Sequence, residues 1–176
     1  SVVARIKNTR TPFSIDFGVG DVIVPKQEKR KIPTQLDDFT APVVNTYSLE
    51  TTIAEKIDAI LSLMEFSSRM KDYYDIYHLA NKFDFDGKVL AEALKKTFEN
   101  RGHAFTIEQF EQVMGFADDE AMQKKWKSFC RKIDTMTDDY DTVLGTIKAF
   151  LTEPYSAAVE NTNFRLKWFV KKQIWK

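Results

Sequence analysis

Between Ser48 and Met64 the apolar residues Leu49, Ile53, Ile57, Ile60, Leu61, Leu63 and Met64 recur at helical spacing. The pattern predicts an amphipathic helix that runs to about Phe66. Ser48 suits its N-cap, because a serine hydroxyl accepts an orphan amide of the first turn. Ser67 and Ser68 then cap a second helix to about Lys82. At about 100° per residue, Tyr73, Ile76, Leu79, Ala80 and Phe83 share one of its faces.

Both apolar stripes carry charge. Lys56 falls inside one edge of the first and Glu50 inside the other. Asp72 falls between Leu79 and Phe83 in the second, and Arg69 lies beside Ile76 and Ala80. Charge aimed at a core is costly unless it pairs or serves a site. Two readings stand together. One is a site between the helices. The other is ordinary helix-surface pairing of Arg69 with Asp72 and Lys71 with Asp75, worth about 0.2–0.5 kcal/mol each, with Lys56 snorkelling to water.

The remaining chain divides in two. Over residues 1–47 the pattern is β-rich. Strands are predicted over 1–8 and 11–17, around a turn at Asn8-Thr9-Arg10. Phe13, Ile15 and Phe17 alternate with Ser14 and Asp16, so the Asp16 carboxylate points off the apolar face. Gly18 and Gly20 interrupt the run before Asp21-Val22-Ile23-Val24, as glycines at a bulge or close backbone approach do. The basic segment from Pro25 to Pro33 reads as an exposed loop, and Ala41 to Tyr47 as a further strand. Over residues 48–176 the reading is a helical bundle. After the first two, helices are expected from Asp86 to Asn100, from Thr106, from Asp118 or Asp119 to Ile133, and from Asp139 to Leu151. The fold class is α+β, mainly α.

Composition narrows the function classes. The 176 residues carry 26 basic and 26 acidic side chains, so no global charge draws the chain to nucleic acid or membrane. A local patch is needed for either. The single cysteine, Cys130, has no internal disulfide partner, which fits a reducing cytoplasm. Beside Trp126 and Phe129 it reads as a small hydrophobe. No run approaches the ~20 apolar residues of a membrane span, and no signal-peptide pattern is present. His78 and His103 show no zinc-ligand spacing, and His78 falls on the polar side of its helix. The acidic stretches at 118–120 and 138–141 read as helix-start charges and solvated loops. The tail from Phe164 interleaves Phe164, Trp168, Phe169 and Trp175 with Arg165, Lys167, Lys171, Lys172 and Lys176. Such a tail either contacts RNA by stacking and phosphate pairing, or is a helix that packs its aromatics on the bundle.

Three ordered segments now stand out. They are Ile15-Asp16-Phe17-Gly18-Val19-Gly20-Asp21, then Leu49-Glu50 with Ala54-Glu55-Lys56-Ile57-Asp58-Ala59-Ile60, then Arg69-Met70-Lys71-Asp72-Tyr73-Tyr74-Asp75. Together they resemble the later motifs of the AbiEii-type nucleotidyltransferases, the toxin components of bacterial abortive-infection and toxin–antitoxin systems. Thr97-Phe98-Glu99-Asn100-Arg101 and the stretch from Trp126 to Phe129 resemble that family's helical region, so the likeness spans about Ser1 to Leu151. It implies C-terminal strands of a polymerase-β-like sheet followed by a helical domain, with the active site between them.

The resemblance also implies roles. Lys56 and Asp72 match the family's functional lysine and aspartate. Lys56 would meet the triphosphate of an NTP, and Asp72 would orient Lys56, position the acceptor or act as base. Asp16 would be a carboxylate of the Mg²⁺ site, with Asp21 near its rim. Gly18 and Gly20 would let the backbone approach the nucleotide, with Arg69, Lys71 and Asp75 nearby as further nucleotide-binding residues. The reaction implied moves a nucleoside monophosphate from NTP to an acceptor such as tRNA, and the implied protein partner is an antitoxin.

One departure limits this. The family's Gly-Ser followed by Asp-x-Asp on early strands is missing, and the Asp-x-Asp at Asp84-Phe85-Asp86 is placed after the helices and off any sheet. Two-metal transfer needs clustered carboxylates, and Asp16 supplies only part of such a site. With Ser1 leading straight into a strand, the chain reads as the C-terminal portion of the enzyme and is expected not to transfer nucleotides appreciably by itself. The competing class is a non-catalytic helical interaction module that binds an antitoxin or another protein.

Overall fold

The computed structural model describes residues 2–15, 17, 19–133 and 138–176. Six helices carry the fold: α1 (Leu49–Leu63), α2 (Met70–Ala80), α3 (Gly87–Arg101), α4 (Ile107–Met114), α5 (Glu120–Ile133) and α6 (Tyr140–Glu160). Small antiparallel sheets flank them, so the fold is α+β and mainly α. β1 (Val2–Ile6) pairs with β2 (Thr9–Phe13), β3 (Glu28–Lys31) with β4 (Val43–Thr46), and β5 (Phe85–Asp86), β6 (Lys167–Phe169) and β7 (Ile174–Trp175) form a third sheet in that order.

The core is built around α6. Its Tyr140, Val143, Leu144, Ile147, Phe150, Leu151 and Tyr155 are buried against α2, α3 and α4. Ile53, Ile57, Ile60 and Leu61 of α1 pack toward Leu90, Leu94 and Phe98 of α3. Each such aliphatic side chain contributes about 1.5–3 kcal/mol by leaving water. Among the described residues no helix is long and apolar enough to cross a membrane.

Local chemistry sets the helix starts. The Ser48 Oγ accepts the Thr51 amide at 3.0 Å, Asp86 accepts the Lys88 and Val89 amides, and Thr106 forms a capping box with Gln109. Asp119 and Asp139 accept the Met122 and Thr142 amides, each at 2.8 Å. The second helix begins later than its serines suggest. Ser67 Oγ takes the Arg69 amide at 3.2 Å, and α2 proper starts at Met70 with Arg69 in the cap position.

Several expectations are corrected. Leu63 is 40% exposed, off the apolar stripe, because Met64 at φ 49° breaks α1 into a 3₁₀ turn. Phe83 is 37% exposed because α2 stops at Ala80. The first hairpin turns at Lys7-Asn8, with Lys7 at φ 53°, so Thr9 and Arg10 already belong to β2. Phe13 faces solvent, since that two-stranded sheet has no covering layer among the described residues, and Ile15 and Phe17, expected in the same strand, lie beyond the end of β2 and are exposed too. The expected loop from Pro25 to Pro33 contains β3. Its Glu-Lys-Arg-Lys sequence is exposed on both faces and so shows no apolar alternation. Asp84-Phe85-Asp86 does touch a sheet, yet both carboxylates are occupied structurally: Asp86 caps α3 and Asp84 accepts the Val170 amide at 2.8 Å.

The last helix runs nine residues past Leu151, through Pro154. A proline leaves the carbonyl four residues earlier without its helical donor. Here that carbonyl belongs to Phe150, and the Trp175 indole donates to it at 2.9 Å. The tail is therefore not a helix but two short strands that fold back. Trp168 is buried and donates to the Ala80 carbonyl at 2.8 Å, while Trp175 stacks on Phe150. The tail's two tryptophans pack on the core, and Lys167, Lys171, Lys172 and Lys176 remain exposed.

Candidate functional site

α1 and α2 pack side by side, and their inward charges meet. Lys56 Nζ donates to Asp72 Oδ1 at 2.9 Å and lies 2.6 Å from Asp75 Oδ2. The side chains of Lys56 and Asp72 are 18% and 5% exposed. Arg69 Nε donates to Asp72 Oδ2, and Lys71 Nζ donates to Asp75 Oδ2 at 2.6 Å. Both helix-surface pairs read from the sequence thus exist, joined across the helices by Lys56. Burial alone would lower the Lys56 pKa, but its bonds to Asp75 and Asp72 outweigh burial and hold it above the ordinary lysine value. Burial likewise works against the Asp75 charge, and Lys56 and Lys71 override it, leaving this carboxyl below its usual range. Lys56 is a fixed cation.

Above these groups lies a groove of about 260 Å³, lined by Tyr47, Thr52, Glu55, Lys56, Arg69, Asp72 and Arg101. Arg101, the last residue of α3, reaches it by pairing with Glu55 and with Asp58, the latter at 2.8 Å. The other Asp58 oxygen is 2.7 Å from His103 Nδ1. Burial pushes the Asp58 carboxyl up, and the His103 contact offsets part of that. Ser62 Oγ also approaches His103 Nδ1, at 3.4 Å. Aspartate and serine share one ring nitrogen, so the imidazole cannot relay a proton from Ser62 toward Asp58. Nucleophilic serine chemistry needs opposite nitrogens.

The segment before β3 closes one side. Tyr47 donates to Asp21 Oδ2 at 2.7 Å; that bond, with burial added, pushes the phenol up, while Arg101 pulls it down. Asn100 donates to the Gly20 carbonyl at 2.9 Å, and Gly20 adopts φ 92°, open to glycine and strained for other residues. Val24 is clamped on the start of α1, its amide donating to Thr51 Oγ1 at 2.8 Å and its carbonyl accepting from Ser48. Of the residues singled out in the sequence, Lys56, Asp72, Asp75 and Arg69 come together, and Asp21 joins them through Tyr47. Lys71 sits outside, 72% exposed. Asp16 and Gly18 lie outside the described residues.

A family model described as nucleotidyl transferase AbiEii toxin, type IV toxin–antitoxin system, matches residues 1–156. The chain belongs to that family. No curated protein and no solved structure matches it.

Transfer of a nucleotidyl group generally calls on Mg²⁺ to offset phosphate charge. In this AbiEii-family chain the carboxylates around the groove, Asp58, Asp72 and Asp75, do not fit that ion, and Asp16 lies outside the described residues. Asp72 is taken up by Lys56 and Arg69, Asp75 by Lys56 and Lys71, and Asp58 by Arg101 and His103. A cation would have to displace ammonium or guanidinium groups from the same oxygens. Among the described residues no three His, Cys, Asp or Glu side chains cluster as metal ligands. A larger cavity, about 740 Å³, lies between α5 and the start of α6, lined by Trp126, Cys130, Asp138 and Tyr140 among others.

Sequence reasoning missed Arg101, Glu55, Asp58 and Tyr47 as groove residues. Glu55 and Asp58 flank Lys56 within one quoted motif, and Arg101 ends another. Their link is a contact between α1 and α3, which spacing along either helix does not reveal. Cys130 is partly buried, with burial raising its thiol pKa, as suits an unreactive packing residue.

Proposed function

We propose that the groove over Lys56 binds the triphosphate of an NTP and that Lys56 and Asp72 serve transfer of its nucleoside monophosphate to an acceptor, with an RNA such as tRNA as the acceptor class. The observation that carries this reading is the double grip on Lys56. An ammonium has three N–H donors; Asp72 and Asp75 take two, at 2.9 and 2.6 Å. The third is left for a phosphate oxygen, from an ammonium already fixed in direction. Preorganised charge of this kind costs no reorganisation when the phosphate arrives. Arg69, 56% exposed and tied to Asp72 by one nitrogen, adds a second cation at the rim. In this reading Asp72 positions Lys56 and Arg69 together.

No step is assigned to Mg²⁺, because the groove carboxylates Asp58, Asp72 and Asp75 are each paired with a cation. Membership of a type IV toxin–antitoxin family supports an antitoxin as protein partner. The second reading, an interaction module without catalysis, is favoured by the exposed apolar residues Val2, Ile6, Phe13, Ile15 and Phe17.

The test incubates the chain with labelled NTPs, Mg²⁺ and total tRNA, beside Lys56→Ala and Asp72→Ala. Incorporation lost in both variants supports the transfer site. Incorporation retained in both removes these residues from the chemistry. NTP binding without incorporation, lost in both variants, supports the groove as the nucleotide site, and absence of NTP binding moves the chain to the interaction reading.

A further inference from the structure

Arg101 enters the groove from a third helix, held by a carboxylate that the Lys56 chemistry does not use. The Asp58 side chain is 1% exposed. Taken so far out of water, a carboxylate is destabilising unless fully paired, and Asp58 is paired on both oxygens: Arg101 Nη1 at 2.8 Å and His103 Nδ1 at 2.7 Å. Glu55 takes Arg101 Nη2. A guanidinium has five N–H donors in a rigid planar fork. Two contacts therefore leave donors to spare, and Arg101 is 32% exposed where it lines the groove with Lys56 and Arg69.

We propose that Arg101 is a phosphate ligand of the groove and that Asp58 is the positioning residue that fixes its guanidinium. The proposal rests on the reading of the groove as a nucleotide site. It adds α3 to the site. An exposed arginine would be mobile and largely screened, whereas one pinned by a buried carboxylate keeps its free edge in a set direction. Glu55 holds the second terminal nitrogen, so the guanidinium plane as well as its position is fixed. A lysine at position 101 would keep the charge and lose the fork.

The test is calorimetric titration of the 176-residue chain with inorganic triphosphate and with each NTP, alongside far-UV circular dichroism and melting curves. Arg101→Ala is expected to weaken both ligand types about tenfold or more, with Arg101→Lys recovering only part. Asp58→Asn, which touches no ligand, is expected to weaken both severalfold. Where it fails to fold, Glu55→Gln, whose carboxylate is partly exposed, takes its place with the same expectation. Lys56→Ala is the reference. If Lys56→Ala loses binding while both Arg101 variants bind as wild type, the inference falls and the groove reading stands. If Arg101→Ala weakens NTPs but not triphosphate, Arg101 faces the base and the inference falls. If Lys56→Ala itself binds as wild type, the groove reading fails first.

Discussion

The Trp175 indole N–H donates to the Phe150 carbonyl at 2.9 Å, the acceptor that Pro154 leaves without its helical partner. A side chain from the C-terminal strand thus repairs the longest helix of the core. Trp175→Phe keeps an aromatic ring and removes the donor. It should destabilise the protein by about 1–3 kcal/mol, the cost of an unsatisfied buried acceptor, read as a lower Tm with helical content unchanged.

Gly87 opens α3 against the chain that leads into β6. A Cβ there would sit 2.6 Å from the Leu166 carbonyl and closer still to the Phe164 ring. Backbone cannot yield as a flexible side chain does, so Gly87→Ala should cost about 1–3 kcal/mol by overpacking. Denaturant unfolding measures it. A neutral or stabilising effect would mean that this junction is looser than its contacts suggest.

The ion pair has a pH signature. Lys56 is held above its ordinary 10.5, so its contribution is complete below that value and lost as pH rises through the folded pKa. Asp75 is held below 3.8, so its contribution is present above that value and lost as pH falls through the folded pKa. The Tm difference between wild type and Lys56→Ala should therefore be flat between about pH 5 and 9 and shrink at both extremes. A change centred near neutrality would point to a histidine instead.

The tail separates packing from RNA contact. Trp168 and Trp175 are committed to the core, whereas Lys167, Lys171, Lys172 and Lys176 are exposed. Replacing those four lysines with glutamine should leave the Tm within about 1 °C, since exposed charges contribute little. If the tail holds RNA, the same change reduces the salt dependence of RNA affinity through lost counterion release. An unchanged salt slope limits the tail to packing.

The meeting of Lys56 with Asp72 was legible because both lie on helices whose 3.6-residue period is strong and whose apolar stripes make an inward charge conspicuous. Helix starts were legible for a related reason, since Ser48, Asp86, Thr106 and Asp139 announce themselves by side-chain chemistry. The hairpin of β1 and β2 was misread as half-buried because alternation specifies a face without saying whether anything covers it. The end of α6 was misread because Pro154 normally stops a helix, and its remedy, Trp175, lies 21 residues away in a segment with no helical period. Arg101 was missed for want of any local signal, its partners being on α1.

The most direct test of the central claim compares the affinity of each NTP with that of its own nucleoside, for wild type and Lys56→Ala, at low ionic strength. If Lys56 is the fixed cation that receives phosphate, wild type binds at least one NTP about tenfold or more tightly than the nucleoside. Lys56→Ala then cuts that advantage about tenfold or more, leaving what Arg69 and Arg101 supply, while its circular dichroism spectrum stays that of the wild type. An NTP advantage undiminished by Lys56→Ala in a folded protein would contradict the account.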